Sequence, residues 1–240
     1  MPPPELIIYL EPSLNSTLHT QLSHYFTATT HTPFVGNEAT RYPPHTTMVG
    51  FFNSPTPPTH TTTISAILDY IDTWHTHLQT LTSTIPDQQQ QQQQQPTSPK
   101  TVINGFYRPN PSLLLIGITP SPYLLNLLQT LSQAFPDLGL RRKQINHLSL
   151  CYWDDDVQPA STTTTTTTIP DTLLAERVEL TNQATRLAQE QIPMVNIPAG
   201  TTIENEGWDV VMYSIEGRNK ASGLPYPLQE IKRWTLPSFV

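Results

Sequence analysis

With 240 residues, of which 36% are apolar and only 13% charged, against about 150 residues for an ordinary domain, the chain is expected to fold as one large or two small domains. A single cysteine excludes a disulfide scaffold and any multi-thiolate zinc site. No apolar run reaches the roughly 18 residues of a membrane span. The net charge of −7 argues against wrapping long nucleic acid, while a small nucleotide or the end of an RNA stays compatible with it.

The opening Met-Pro-Pro-Pro-Glu has no basic flank, and Leu6 to Leu10 is too short for a signal-peptide core. A cytoplasmic monomer without membrane contact is therefore expected, a nuclear location being left open. Leu6 to Leu10 itself reads as a buried strand. Leu14, Leu18, Leu22 and Phe26 recur at four-residue spacing and predict a helix over Asn15 to Phe26. His45 to Phe52 is a strand entered through Pro43-Pro44 and left at Asn53-Ser54-Pro55. Ile64, Ile67, Leu68, Ile71, Trp74, Leu78 and Leu81 mark a second helix. Thr101 to Tyr107 and Leu113 to Thr119 are strands joined by Arg108-Pro109-Asn110-Pro111. Pro122 opens a helix carrying Leu124, Leu125, Leu128, Leu131 and Phe135, closed by Pro136. His147 to Trp153 is a strand, Leu173 to Gln191 an amphipathic helix, and Trp208 to Ile215 a last strand.

Two low-complexity tracts interrupt this order. One, about 86–100, holds Gln88 to Gln95; the other, about 154–170, holds Thr162 to Thr168. Neither has an apolar face to bury, so both read as inserted polar loops without a function of their own. With them set aside, the order is β-α-β-α-β, twice over. That repetition predicts a duplicated, two-lobed α+β domain over 1–217, with antiparallel sheets, helices on the outer faces and a central cleft. Residues 218–240 lack periodicity and read as a C-terminal extension packing back on the domain.

Each half opens its second strand with a histidine: His45-Thr46-Thr47-Met48 and His147-Leu148-Ser149-Leu150. On a strand, residues two apart share a face, so each segment projects an imidazole and a hydroxyl about 7 Å apart. His-x-Ser/Thr occurs three times in this Thr-rich chain, so the short pattern alone distinguishes nothing. His60-Thr61-Thr62 lacks the following apolar residue and sits after Pro57-Pro58 in what reads as a loop. The other two occupy equivalent points of the repeated layout, and that symmetry is the signal. A histidine on a strand is more commonly structural; a matched pair is not.

This double tetrad resembles the two-histidine (2H) phosphoesterase superfamily, in its LigT-like and cyclic nucleotide phosphodiesterase branch. In element order the resemblance runs over roughly residues 5–217. The family pattern of His, apolar, Ser/Thr, apolar is met fully by the second tetrad, and the first departs at Thr46, where an apolar residue is usual. The separation of 102 residues between His45 and His147 is somewhat long for the family, and the glutamine insertion accounts for about 15 of those residues. The resemblance implies metal-independent, cofactor-free hydrolysis of a 2′,3′-cyclic nucleotide or a related cyclic phosphate, such as that of ADP-ribose.

The residues support that chemistry on their own terms. Imidazole titrates nearest neutrality, so a pair supplies one base and one acid. His147 is taken as base towards water and His45 as acid towards the leaving oxygen, exchanging roles in ring closure. Thr47 and Ser149 would bind the non-bridging phosphate oxygens. Phe51, Tyr152 and Trp153, at the strand exits, are candidate stacking platforms for a base, with rim or core packing as the plainer alternative. Arg141, Arg142 and Lys143 form the one dense basic cluster. Arg41, Arg108 and Tyr213 are further candidate substrate contacts.

Asp154-Asp155-Asp156 has oxygen ligands suited to a metal, but as a loop triplet it reads as solvated, and no metal site is expected. Cys151 shares the alternation of His147 and Ser149 and is expected to face the pocket, with nothing beside it to activate a thiolate. His75 and His77, two apart on a helix, point in different directions. Three rival readings remain open. The chain would be an RNA-end phosphodiesterase or ligase acting on 2′,5′ or 3′,5′ linkages, a nucleotide-binding module without turnover, or an interaction protein organised by its Gln and Thr tracts.

Overall fold

The computed structural model describes residues 5–31, 33–34, 36–53, 59–84, 100–153, 171–215, 225–238 and 240. The glutamine and threonine tracts and Asp154 to Asp156 lie outside them. Strand β1 (Glu5–Pro12) leads to α1 (Thr17–Thr29), β2 (Thr46–Asn53) and α2 (Thr59–Thr84). There follow β3 (Val102–Tyr107), β4 (Leu114–Thr119), α3 (Pro122–Ala134) and β5 (His147–Cys151). The chain ends with α4 (Asp171–Gln191), β6 (Ile203–Glu204), β7 (Trp208–Ile215) and β8 (Leu228–Thr235).

Local chemistry sets several of these boundaries. Ser16 caps α1 by accepting from the His19 N–H at 3.1 Å. Leu14 therefore lies outside the helix and is 53% exposed, instead of continuing the apolar stripe expected of it. Ser121 caps α3, with Pro122 in the first turn where its missing N–H costs nothing. His60, read from the sequence as part of a loop, belongs to the first turn of α2.

The strands form two antiparallel sheets, ordered β2-β1-β7-β8 and β5-β4-β3-β6. The two halves exchange their last strands. β7, from the second half, pairs with β1 along its whole length, from Glu5 opposite Ile215 to Pro12 opposite Trp208. β3, from the first half, pairs with β4. Neither lobe is complete without a strand of the other, and one hydrophobic core runs through both. Leu6, Ile8 and Leu10 of β1 enter that core beside Leu18 and Leu22 of α1 and Ile67 and Ile71 of α2. On the opposite face of the sheet, Ile7, Tyr9, Val211 and Tyr213 form a smaller cluster. β1 is thus covered on both sides, which accounts for its unbroken apolar run.

The histidine strands are the edges that meet. The Gly50 N–H donates to the Arg141 carbonyl and the Lys143 N–H to the Met48 carbonyl, each at 2.9 Å. Val49 forms a bridge with Arg142. The basic cluster before β5 is thereby tied through its backbone to β2, which sets the two motif strands edge to edge.

The C-terminal stretch, expected to pack back on the domain without periodic structure, does so as a strand: residues 228–235 are the fourth strand of the first sheet. Lys232 and the Trp234 indole N–H bind Asp72 of α2, both at 2.7 Å. As an edge strand with a single buried side chain, β8 carries no apolar alternation for a sequence reading to detect. Among the described residues, no helix is long and apolar enough to cross a membrane.

Candidate active site

A cavity of about 750 Å³ opens where β2 meets β5, and His45, Thr47, His147 and Ser149 all line it. Both pairs arise from strand alternation: His45 immediately precedes β2 and His147 opens β5, with each hydroxyl two residues on. Thr47 sits opposite Tyr9 of β1, and Ser149 opposite Leu115 of β4.

His45 is enclosed by aromatic rings. It stacks on Tyr9 with centroids 3.7 Å apart and planes at 25°, and Tyr42 meets it edge-on at 5.4 Å. Its Nδ1 lies 2.8 Å from the Pro43 carbonyl. A carbonyl can only accept, so Nδ1 carries the hydrogen and the Nε2 lone pair is left for the cavity. Burial pushes the imidazole pKa down to about 4; the Pro43 carbonyl opposes this more weakly, and charge on His147 adds to it. His45 is neutral over the whole physiological range.

His147 has a polar neighbourhood instead. Its Nδ1 lies 2.7 Å from Asn146 Oδ1, and Asn146 Nδ2 donates to Gln144 Oε1 at 3.2 Å. That second bond orients the amide so that its oxygen faces the imidazole, which again leaves Nε2 for the cavity. Burial lowers this pKa as well. Thr46, the polar residue at an apolar position of the motif, is buried and donates to the His147 backbone carbonyl at 2.8 Å. It ties the two motif strands together.

Of the other expected contacts, Lys143, Tyr152 and Trp153 line the cavity. Phe51 packs against the Ile7–Tyr9 cluster instead. Arg41 is buried in an ion pair with Glu38 at 2.7 Å and covers the Tyr226 ring at 4.0 Å. Arg108 donates to Asn182 at 2.7 Å and to the Pro111 carbonyl, tying the β3–β4 turn to α4. The Tyr213 hydroxyl donates to buried Glu11 at 2.9 Å. These four stand outside the cavity lining because nearer partners hold them. Arg142 lines an adjoining groove.

Cys151 does not follow the alternation of His147 and Ser149. The register between β4 and β5 slips between Leu114 and Leu115, and the thiol lies in the core beside Thr181. Burial pushes its pKa up to about 12, so it stays a thiol.

The sequence reading missed Tyr107, Gln144, Asn146 and Arg177, which also line the cavity, and Tyr9, which packs on His45. Asn146 and Gln144 adjoin a motif and were discoverable from it. Arg177 comes from α4, and only the packing of α4 over the second sheet brings it in.

No family model matches this chain, and no curated protein does. Among solved structures, the chain is similar to E. coli LigT, in a crystal structure complexed with NADP+. The two share 14% sequence identity over 98% of this chain and 99% of that one, with a TM-score of 0.42.

Proposed function

We propose that this protein is a metal-independent phosphodiesterase that opens a cyclic phosphodiester, of which a 2′,3′-cyclic nucleotide is the simplest form. One observation carries this reading. Both imidazoles anchor Nδ1 on an acceptor and leave Nε2 for the same cavity, with a hydroxyl beside each. Such a pair supplies the two proton transfers that ring opening needs.

In this mechanism the neutral His45 takes a proton from water at Nε2. The water oxygen attacks phosphorus, and the bond to one ribose oxygen breaks. His147, protonated, gives its Nε2 proton to that leaving oxygen. Thr47 and Ser149 donate to the non-bridging oxygens, whose charge grows in the transition state. These roles are the reverse of those expected from the sequence. The reason is burial: the imidazole stacked on Tyr9 is the harder of the two to protonate, which leaves the acid role to His147. Tyr152 and Trp153 offer stacking faces for the base, and Lys143 and Arg177 bring positive charge to the rim.

A specific observation favours a second reading, RNA-end processing. A groove of about 480 Å³ shares Lys143, Gln144 and Asn146 with the cavity and continues past Arg142 to Leu125 and Leu128. It gives a flanking nucleotide somewhere to lie.

The test is hydrolysis of the four 2′,3′-cyclic mononucleotides in EDTA, beside short oligoribonucleotides ending in the same cyclic phosphate. His45→Ala and His147→Ala should each lose at least about 100-fold in turnover. Wild type acting only on the oligoribonucleotides would favour the second reading. Turnover surviving both substitutions would sink the mechanism.

A further inference from the structure

The C-terminal return of the chain reaches back to His45. Tyr226 lies just before β8, and its N–H donates to the Arg41 carbonyl at 3.0 Å. Its ring stacks on Tyr42 with centroids 4.7 Å apart and planes at 21°. The Arg41 guanidinium sits over the same ring at 4.0 Å, itself fixed by the buried ion pair with Glu38. Tyr42 then meets the His45 ring edge-on, and the intervening Pro43 supplies the carbonyl that holds Nδ1.

Residues 42–45 belong to no strand or helix. Pro43 and Pro44 have no N–H, so half of this stretch offers no main-chain donor to tie it down. Its conformation depends on what packs against it. On the far side that is the Tyr9 stack; on the near side it is Tyr226.

We propose that Tyr226 is a positioning residue for His45: by clamping Arg41 and Tyr42 it fixes the Pro43 carbonyl, and so holds the imidazole as the Nδ1–H form with Nε2 towards the cavity. The proposal rests on the reading of His45 as an acid–base group. The groups facing His45 are Tyr9 from β1, Tyr42 from its own turn and His147 from β5. Tyr152, Tyr213, Arg41 and Glu11 stand behind them, Glu11 being held by Tyr213 and Arg233. Burial raises the phenols of Tyr9, Tyr42 and Tyr213 far beyond neutrality, so none of these ionises between pH 4 and 8. Within that range His45 responds to its desolvation, to the Pro43 carbonyl and to His147. Removing the Tyr226 ring loosens Tyr42, admits water and frees the carbonyl. The first change raises the His45 pKa and the last lets the tautomers mix.

The experiment is nitrogen-15 NMR titration of the histidine side chains in wild type, Tyr226→Ala, Tyr226→Phe and, as a control, Gln229→Ala on the exposed side of β8. Tyr226→Ala should raise the His45 pKa by about one unit or more and introduce the Nε2–H tautomer. Tyr226→Phe, which keeps the stack, should restore both, and the control should change neither. In kinetics on a cyclic phosphate, the acid limb of kcat/KM should move up with His45, and kcat should fall about tenfold with KM nearly unchanged.

A folded Tyr226→Ala protein whose His45 keeps its wild-type titration and tautomer overturns the proposal, even if it melts earlier. Should that variant fail to fold, Tyr226→Leu keeps apolar bulk without the stacking plane and decides the same question. If wild type hydrolyses no cyclic phosphate, the phosphodiesterase reading fails, while the NMR comparison still settles the role of Tyr226.

Discussion

The two halves of the molecule open a strand with the same pattern and then surround it differently. His45 is stacked on Tyr9 and edged by Tyr42, with a proline carbonyl as its anchor. His147 leans on an amide that is held by a second amide. Strand alternation makes the two sites alike in geometry. Their neighbours make them unlike in proton affinity: two aromatic rings cover one imidazole, and side-chain amides flank the other. On the proposed mechanism, the repeated strand pattern would supply the pair and the unlike surroundings the difference between base and acid.

The strongest way to break this comparison is to remove the difference. Tyr9→Ala should unstack His45, raise its pKa from about 4 towards the ordinary value of about 6.5, and lower kcat/KM at pH 5 by about tenfold or more. In wild type the profile should be bell-shaped. Its acid limb reports loss of neutral His45 near pH 4. Its basic limb reports loss of protonated His147 and falls below the ordinary histidine value, since burial lowers that pKa too. A rate that keeps rising through pH 8 would overturn the assignment. The same shift bears on stability: the unfolded chain takes up a proton on His45 between about pH 6.5 and 4 that the folded one refuses, so stability should fall as pH drops through that window.

The hydroxyls test the pair through the phosphate and not through proton affinity. Thr47→Val and Ser149→Ala each remove one donor to the phosphate while keeping the strand. Each should lower kcat by about 100-fold if its hydroxyl meets an oxygen that gains charge in the transition state. A loss confined to KM would make that hydroxyl a ground-state contact only. Asn146→Leu should cost less, about tenfold, because it removes a neutral orienting partner and leaves Nε2 free to react through the other tautomer. It should also shift the basic limb, which reports His147, and leave the acid limb where it is.

Much of this was legible beforehand for identifiable reasons. Apolar periodicity marks ten elements, and the paired tetrads point to His45, Thr47, His147 and Ser149, all of which line the cavity. What stayed hidden depended on pairing between distant segments. Exchange of β3 and β7 between the sheets leaves no trace in a local window, since a strand has the same alternation whichever neighbour it joins. β8 sits at an edge with few buried side chains. Arg41, Arg108 and Tyr213 were plausible by charge or position, yet Glu38, Asn182 and Glu11 claim them first. Alternation alone puts Cys151 on the cavity face; one register slip turns its side chain to the core.

The smallest expected effect concerns Thr46, the one residue at which the first tetrad departs from the pattern of the second. Its hydroxyl spans the gap between the motif strands to the His147 carbonyl at 2.8 Å, and it is buried. Leu148, its counterpart, is simply core. Thr46→Val preserves shape and strand preference and removes the donor alone, so denaturant unfolding should show a loss of about 1–2 kcal/mol. Its effect on turnover separates two uses of the bond. If the hydroxyl only joins the lobes, kcat should be unchanged in the folded variant. If it also sets the start of β5, His147 should reorient and kcat should fall a few-fold without a change in either limb of the pH profile. In that second case the irregular tetrad, and not the regular one, aligns the pair: a polar residue in an apolar position would fix one histidine from the strand that carries the other.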